Sequence, residues 1–221
     1  LIMALNINGT TGISGVDGSV SAPAVTGTDS NTGITFPSAD TIKFATGGVE
    51  RMSITNSGIS GITAGITQAD IYRFNTTASL TYDTVTVVTT NWERPDESDD
   101  VFDKIGSGIS ESSGIFTFPA TGIYLVSFIA RFYGNGNTSG ANHIYIDATV
   151  NNSSYTTVAQ SATYVGNSYQ ATVISQTMVD ITDTTNRKVR FKVYAGAGNQ
   201  QLLGNSTKNE TFVTFIRLGD T

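Results

Sequence analysis

The chain reads as an all-β protein, and three observations carry that reading. Threonine and serine make up about a quarter of the 221 residues, whereas the strong helix formers Ala, Leu, Glu and Lys are scarce. From about residue 70 onward, apolar residues recur with period two over long stretches. Short turns rich in Gly and Asn separate those stretches, in a chain with 23 glycines and only 14% charged residues. This length suits one ordinary domain with an appendage, or two small domains.

Residues 1–65 are short apolar runs between the turn units Asn8-Gly9, Thr11-Gly12, Asp17-Gly18, Thr32-Gly33 and Gly47-Gly48. Large apolar residues such as Ile7, Val16, Phe36, Phe44, Ile54 and Ile62 are thinly spread. A segment of this kind cannot bury enough surface alone to offset its ordering entropy. It therefore reads as an extended Gly-rich arm or shaft, completed by other copies of the chain or by another protein, rather than as a flexible linker. Isoleucine follows glycine at Gly58-Ile59, Gly61-Ile62 and Gly65-Ile66, echoed by Gly12-Ile13. That spacing suits a thin shaft with one small apolar residue per layer, and a glycine-rich hinge equally.

The strands of residues 70–221 follow in order. Residues 122–133 are apolar on both faces for most of their length, so this strand is expected at a sheet centre, covered on both sides. In 142–150, Ile144, Ile146, Ala148 and Val150 point inward; in the next strand Ala171, Val173, Ser175, Thr177, Val179 and Ile181 share one face. In 187–194, Val189, Phe191 and Val193 lie inside and Arg190 and Lys192 outside, and 212–218 closes the chain. Turns fall at 134–137, 151–152, 166–167 and 196–199. Strands of this number and spacing make an antiparallel jelly-roll β-sandwich.

Several function classes are excluded or disfavoured. A net charge of −6 with no basic stripe argues against a nucleic-acid partner. No run approaches ~18 apolar residues, so membrane insertion is not expected, and Leu1-Ile2-Met3-Ala4-Leu5-Asn6 lacks the pattern of a signal peptide. Without cysteine there are no disulfides or thiolate ligands. His143 is the sole histidine and no G-x-S-x-G elbow occurs, so no catalytic residue is assigned and no cofactor is expected. Asp96, Glu97, Asp99 and Asp100, with Asp103 nearby, offer calcium-type oxygen ligands, but not in the order of an EF-hand loop; a solvated loop is the commoner use of such a run. Residues 134–140 lack the lysine of a phosphate loop and read as a hairpin. Among Tyr145, Tyr155, Tyr164, Tyr169 and Tyr194, the set Tyr155, Tyr164 and Tyr169 is the candidate ligand surface for stacking on sugars; a trimer interface would use tyrosines in the same way.

Gly114, Phe116, Thr117, Pro119, Gly122 and Tyr124 match the signature of the complement globular-head family, in which "G-x-F-T" meets a Pro-Gly turn and continues as "G-x-Y-x-F". The closing Phe212-Val213-Thr214-Phe215-Ile216-Arg217-Leu218 is similar to that family's "F-x-G-F-x-L", with Thr214 where glycine is usual. The resemblance covers about residues 70–221. It implies a tumour necrosis factor-like jelly roll assembled as a compact homotrimer about an apolar axis, with Phe116, Tyr124, Val126, Phe128 and Phe215 as core or trimer residues.

The first third resembles a different group. "N-T-G-I-x-F-P-x-x-D-T-I" at 31–42 and "G-G-x-E-R-M-x-I" at 47–54 look like a segment of tail-fibre and related structural proteins of tailed bacteriophages, notably those of marine bacteria and cyanobacteria. Asn91-Trp92-Glu93-Arg94 through Gly114 is likewise similar to the lead-in of such phage heads. Together the resemblances imply a non-enzymatic virion protein, made in the bacterial cytoplasm and carried on the particle exterior. Residues 1–65 would dock onto other virion proteins or intertwine, and residues 70–221 would form a knob for a host surface glycan. A capsid decoration or cement protein is the alternative, and a secreted lectin-like binding module the third.

Overall fold

The computed structural model describes residues 6–8, 12–14, 17–61, 65–95, 104–136 and 139–221. All regular structure among them is β, and the chain divides into two compact units between Gly65 and Ile66.

In the N-terminal unit, β1 (Val25–Thr26), β2 (Gly33–Thr35), β3 (Ile42–Thr46), β4 (Val49–Thr55) and β5 (Gly58–Ser60) form an antiparallel meander in chain order. Where the sequence leads one to expect an extended arm, these residues thus pair with themselves. Gly47-Gly48 is a hairpin turn that joins β3 to β4, with Gly47 in the left-handed region at φ 60°. Cross-strand pairs Val25–Ile34, Ile34–Phe44, Phe44–Met52 and Ile42–Ile54–Ile59 put the large apolar residues on one face. The opposite face is small and polar, yet it is the covered one: Thr35, Ala45 and Ser53 are buried. Asp17 O accepts hydrogen bonds from Thr35 Oγ1 (2.8 Å) and Phe36 N (2.7 Å), which lays the short Gly18–Ser19/Ala22–Pro23 hairpin against that face. Lys43 and Glu50 pair there at 2.7 Å, and the Ser53 and Ser60 hydroxyls at 2.6 Å.

The C-terminal unit is a two-layered jelly roll. Its strands are β6 (Ala69–Phe74), β7 (Ile115–Thr117), β8 (Gly122–Gly134), β9 (Gly140–Thr149), β10 (Tyr155–Val165), β11 (Gln170–Ile181), β12 (Lys188–Ala195) and β13 (Phe212–Gly219). One sheet runs β6-β13-β8-β11 and the other β7-β12-β9-β10, all antiparallel; short pieces such as Trp92–Glu93 and Lys104–Ile105 on β6, and Gln200–Leu202 on β8, extend the first. Alternation sends Tyr124, Val126, Phe128 and Phe215 of one sheet against Phe116, Ile144, Ile146 and Phe191 of the other. Phe116 meets Phe191 at 5.2 Å and Phe215 at 5.3 Å between ring centroids, and Trp92 closes the cluster edge-on at 5.5 Å from Phe116.

The "G-x-F-T…P-x-x-G-x-Y" stretch is a pinned reversal. Gly114 has φ +78°, and a Cβ there would stand 2.3 Å from Val88 O. Tyr124 Oη donates back to Ala120 O at 2.9 Å and Arg217 Nε donates to Thr121 O at 2.8 Å, so the turn is tied to β8, which it leads into, and to the neighbouring β13. Two expectations need correction. Val150 does not point inward: β9 ends at Thr149 and Val150 is 66% exposed. Strand β8 is central, between β13 and β11, but within one chain only its inner face is covered; Ile123, Leu125 and Ile129 on the other face are half-buried.

Candidate functional site

The jelly roll has two distinctive outer faces, set by the same period-two alternation. On the β6-β13-β8-β11 sheet, one cross-strand row reads Met178, Leu125, Ile216, Ala69, Ile105, and a second reads Ile174, Ile129, Phe212. Met178 is 66% and Ile174 54% exposed. Between the rows, Gln176 Nε2 donates to Ser127 Oγ at 2.9 Å, and Thr214 stands between Ser127 and Ile71. Ile66, Ala69, Ile71, Ile105, Thr214 and Ile216 border an open apolar cleft of about 420 Å³. Charge lies at the ends of the rows, where Arg73, beside Phe212, pairs with Glu93, Arg131 with Glu210 and Arg217 with Asp220. An apolar centre with a polar rim is the anatomy of a protein interface.

The outer face of β12-β9-β10 is aromatic and charged instead. His143 lies directly across from Tyr194, edge to face at 5.3 Å, and stacks along β9 on Tyr145 at 6.2 Å. Tyr194 Oη donates to Asp83 Oδ1 at 2.8 Å; that bond, then burial, pushes its hydroxyl up from the ordinary tyrosine range. Burial likewise raises Tyr145, over whose ring Lys192 Nζ sits at 5.2 Å. Two residues along β9, Asp147 is only 1% exposed. It accepts from Lys192 at 2.8 Å, Arg190 at 3.1 Å and Thr157 Oγ1 at 2.7 Å. Burial alone would raise this carboxyl, but the bonds from Lys192, Thr157 and Arg190 outweigh it and hold it below the usual range. Arg190 also covers the Tyr155 ring at 4.2 Å.

A third cluster braces the lead-in to the jelly roll. Arg94 clamps the buried Asp70 with two bonds of 3.0 and 2.8 Å and also reaches Tyr72 Oη at 2.8 Å and Ile109 O at 2.7 Å. Burial, opposed by the Arg94 charge, pushes the Tyr72 hydroxyl up to about 12.

Of the residues singled out in the sequence, Phe116, Tyr124, Val126, Phe128 and Phe215 all lie in the interior of a single chain; their outward neighbours Ile123, Leu125, Ile129 and Ile216 form the apolar face. The three candidate ligand tyrosines do not make one surface. Tyr164 and Tyr169 are exposed near the β10–β11 turn, whereas Tyr155 is nine residues from Tyr164, roughly 30 Å along an extended strand, and lies beneath Arg190. Asp96, Glu97, Asp99, Asp100 and Asp103 lie outside the described residues. Among the described residues no three His, Cys, Asp or Glu side chains gather as a metal site. The aromatic group around His143 is the feature the sequence reading missed as a cluster. Its signal was the outward alternation of 143, 145 and 147 opposite 190, 192 and 194, which only the strand register brings together.

No family model and no curated protein sequence matches the chain. Among solved structures it is similar to murine APRIL at pH 5.0, with 16% identity and a TM-score of 0.50 over 68% of this chain and 98% of that one. Eiger TNF from S. frugiperda is similar at 16% identity and a TM-score of 0.49, over 71% of this chain and 96% of that one. The fold is a tumour necrosis factor-like jelly roll.

Proposed function

We propose that this chain is a non-enzymatic, homotrimeric virion protein of a tailed phage, carried on the particle exterior. Its N-terminal unit would serve for docking onto other virion proteins, and its jelly roll would be a knob for attachment to the host surface. The observation that carries the trimer is the uncovered apolar face built from Leu125, Ile129, Ile174, Met178 and Ile216. Burying a fully exposed side chain of this kind is worth roughly 1.5–3 kcal/mol; Ile174 and Met178 are exposed and Leu125, Ile129 and Ile216 half-buried, so covering the face favours assembly by part of that amount for each. The fold supports this reading, because tumour necrosis factor-like domains are typically trimers that bind partners. The phage assignment is supported by the residue patterns at 31–42 and 47–54. With the apolar face turned to an axis, the His143, Tyr145 and Tyr194 face remains outward, with ring faces and polar groups suited to a glycan.

Sedimentation equilibrium at micromolar concentration tests the assembly: a trimer is expected, and a monomer would refute it. Leu125→Asp with Ile216→Asp should give a folded monomer. Locating the protein on intact virions by cryo-electron microscopy tests the role. Density at the tail or baseplate is expected; density at capsid symmetry positions would replace host attachment by capsid decoration.

A further inference from the structure

The N-terminal sheet is inside out as a single chain. Its covered face holds Thr35, Ala45 and Ser53, while Val25, Ile42, Val49, Ile54 and Ile59 are exposed on the other, Ile59 by 63%. We propose that this apolar face is an interface between copies of this chain, so that the N-terminal units of a trimer pack on one another and complete a core that none of them has alone. The inference rests on the homotrimeric reading and adds a second contact to it.

Three observations select another copy as the occupant. The register keeps the Lys43–Glu50 pair on the opposite side, and charge on this face stays at its two ends: Arg51 Nε donates to Thr46 Oγ1 at 2.7 Å beside the β-bulge, and Asp40 accepts from Asn56 at the Ile42–Ile54 end. With one basic and one acidic group at opposite ends, the face carries no net charge that would select a basic or acidic partner, and it can be complementary to itself. The unit buries no large apolar side chain among its described residues, so it needs cover when it folds, and sister chains are the partners then at hand. Finally, only five peptide steps separate Gly61 from Ile66, and Ile66 borders the apolar cleft of the jelly roll's proposed trimer face. A trimeric head therefore holds three N-terminal units on tethers of at most about 18 Å, at millimolar effective concentration.

The chain has no cysteine, which makes site-specific crosslinking of the full-length protein clean. Ile59→Cys and Glu50→Cys would each be treated with a short bis-maleimide, with light scattering run on the same samples. Ile59→Cys should give roughly tenfold or more covalent dimer than Glu50→Cys on denaturing gels. A second variant, Ile42→Asp with Ile54→Asp, should lose hydrogen-exchange protection over residues 25–60 while the trimer mass is kept. If the protein is trimeric but Ile59→Cys stays unlinked and Ile42→Asp/Ile54→Asp leaves protection unchanged, this proposal fails and the trimer stands. A monomeric mass would sink both.

Discussion

The two units obey the same alternation and reach opposite results. In the jelly roll, apolar faces of two sheets meet, and Phe116, Phe128, Phe191 and Phe215 vanish between them. In the N-terminal meander the alternation also holds, but the cover on its small polar face is only the six-residue hairpin 18–23 and nothing in the described unit covers the other side, so the aliphatic side faces out. A β-sheet satisfies its backbone by pairing; whether its side chains are satisfied depends on a second layer. The jelly roll supplies that layer from its own sequence and the meander does not.

The sharpest way to break this contrast is to truncate one ring in each unit. Phe116→Ala should cost about 3–5 kcal/mol, whereas Phe44→Ala should cost about 1 kcal/mol or less in a protein kept monomeric. Hydrogen exchange read separately over each unit would measure both. A large cost at Phe44 in the assembled protein alone would mean that assembly provides the missing layer.

Next in size is the buried carboxylate of the outer sheet. Asp147→Ala leaves Arg190 and Lys192 facing each other without their shared partner, at a cost of about 3 kcal/mol in urea unfolding. The pH dependence follows from the lowered carboxyl. Because Asp147 ionises more readily folded than unfolded, its contribution is complete above about pH 4 and is lost as pH falls through its folded value. Asp147→Asn should therefore flatten the acid limb of the stability profile. Lys43 also lowers the Glu50 carboxyl, but this pair is partly exposed, so Glu50→Gln should flatten that limb less than Asp147→Asn does.

The smallest contrast concerns turns. Gly114→Ala meets Val88 O as well as left-handed strain and should cost about 2 kcal/mol or more. Gly47→Ala faces open space and should cost about 1 kcal/mol, from strain alone. Equal losses at the two positions would show that the Gly47-Gly48 turn is also closely packed in the assembly.

The strands of the jelly roll were legible because they are long. The segments 122–133, 187–194 and 212–218 lie within a residue of β8, β12 and β13, since period two over eight or more residues leaves little freedom. Of the shared face Ala171, Val173, Ser175, Thr177, Val179 and Ile181, four residues are buried, and Ala171 and Thr177 are half-buried. The meander was not legible as a sheet, because strands of two to seven residues between glycines carry too few alternations to separate a hairpin from a hinge. The two outer faces were half legible. The doubly apolar pattern of β8 was visible, but its uncovered side could be counted only once Leu125 was seen beside Met178 and Ile216. Asn142, at the start of a predicted strand, proved to be wholly buried and to donate to Gln200 from the facing sheet at 3.0 Å. Nothing in the local sequence marks that partnership across 58 residues.

The Arg94 clamp acquires a mechanical meaning from its place in the chain. A pull transmitted through Ile66 enters the jelly roll at Ala69, where β6 runs antiparallel to the C-terminal strand over five register pairs. Hydrogen bonds between antiparallel strands lie perpendicular to the strand axis. Tension along β6 therefore shears all the pairs together and does not unzip them one by one. Thr67 and Gln68 meet the force first, through their bonds with Arg217, and directly behind them Asp70 is held by Arg94 and by Ile109 N at 2.5 Å, so the entry point is backed by several bonds at once. Under the proposed anchoring through the N-terminal side, the jelly roll would resist traction at the strand where traction arrives.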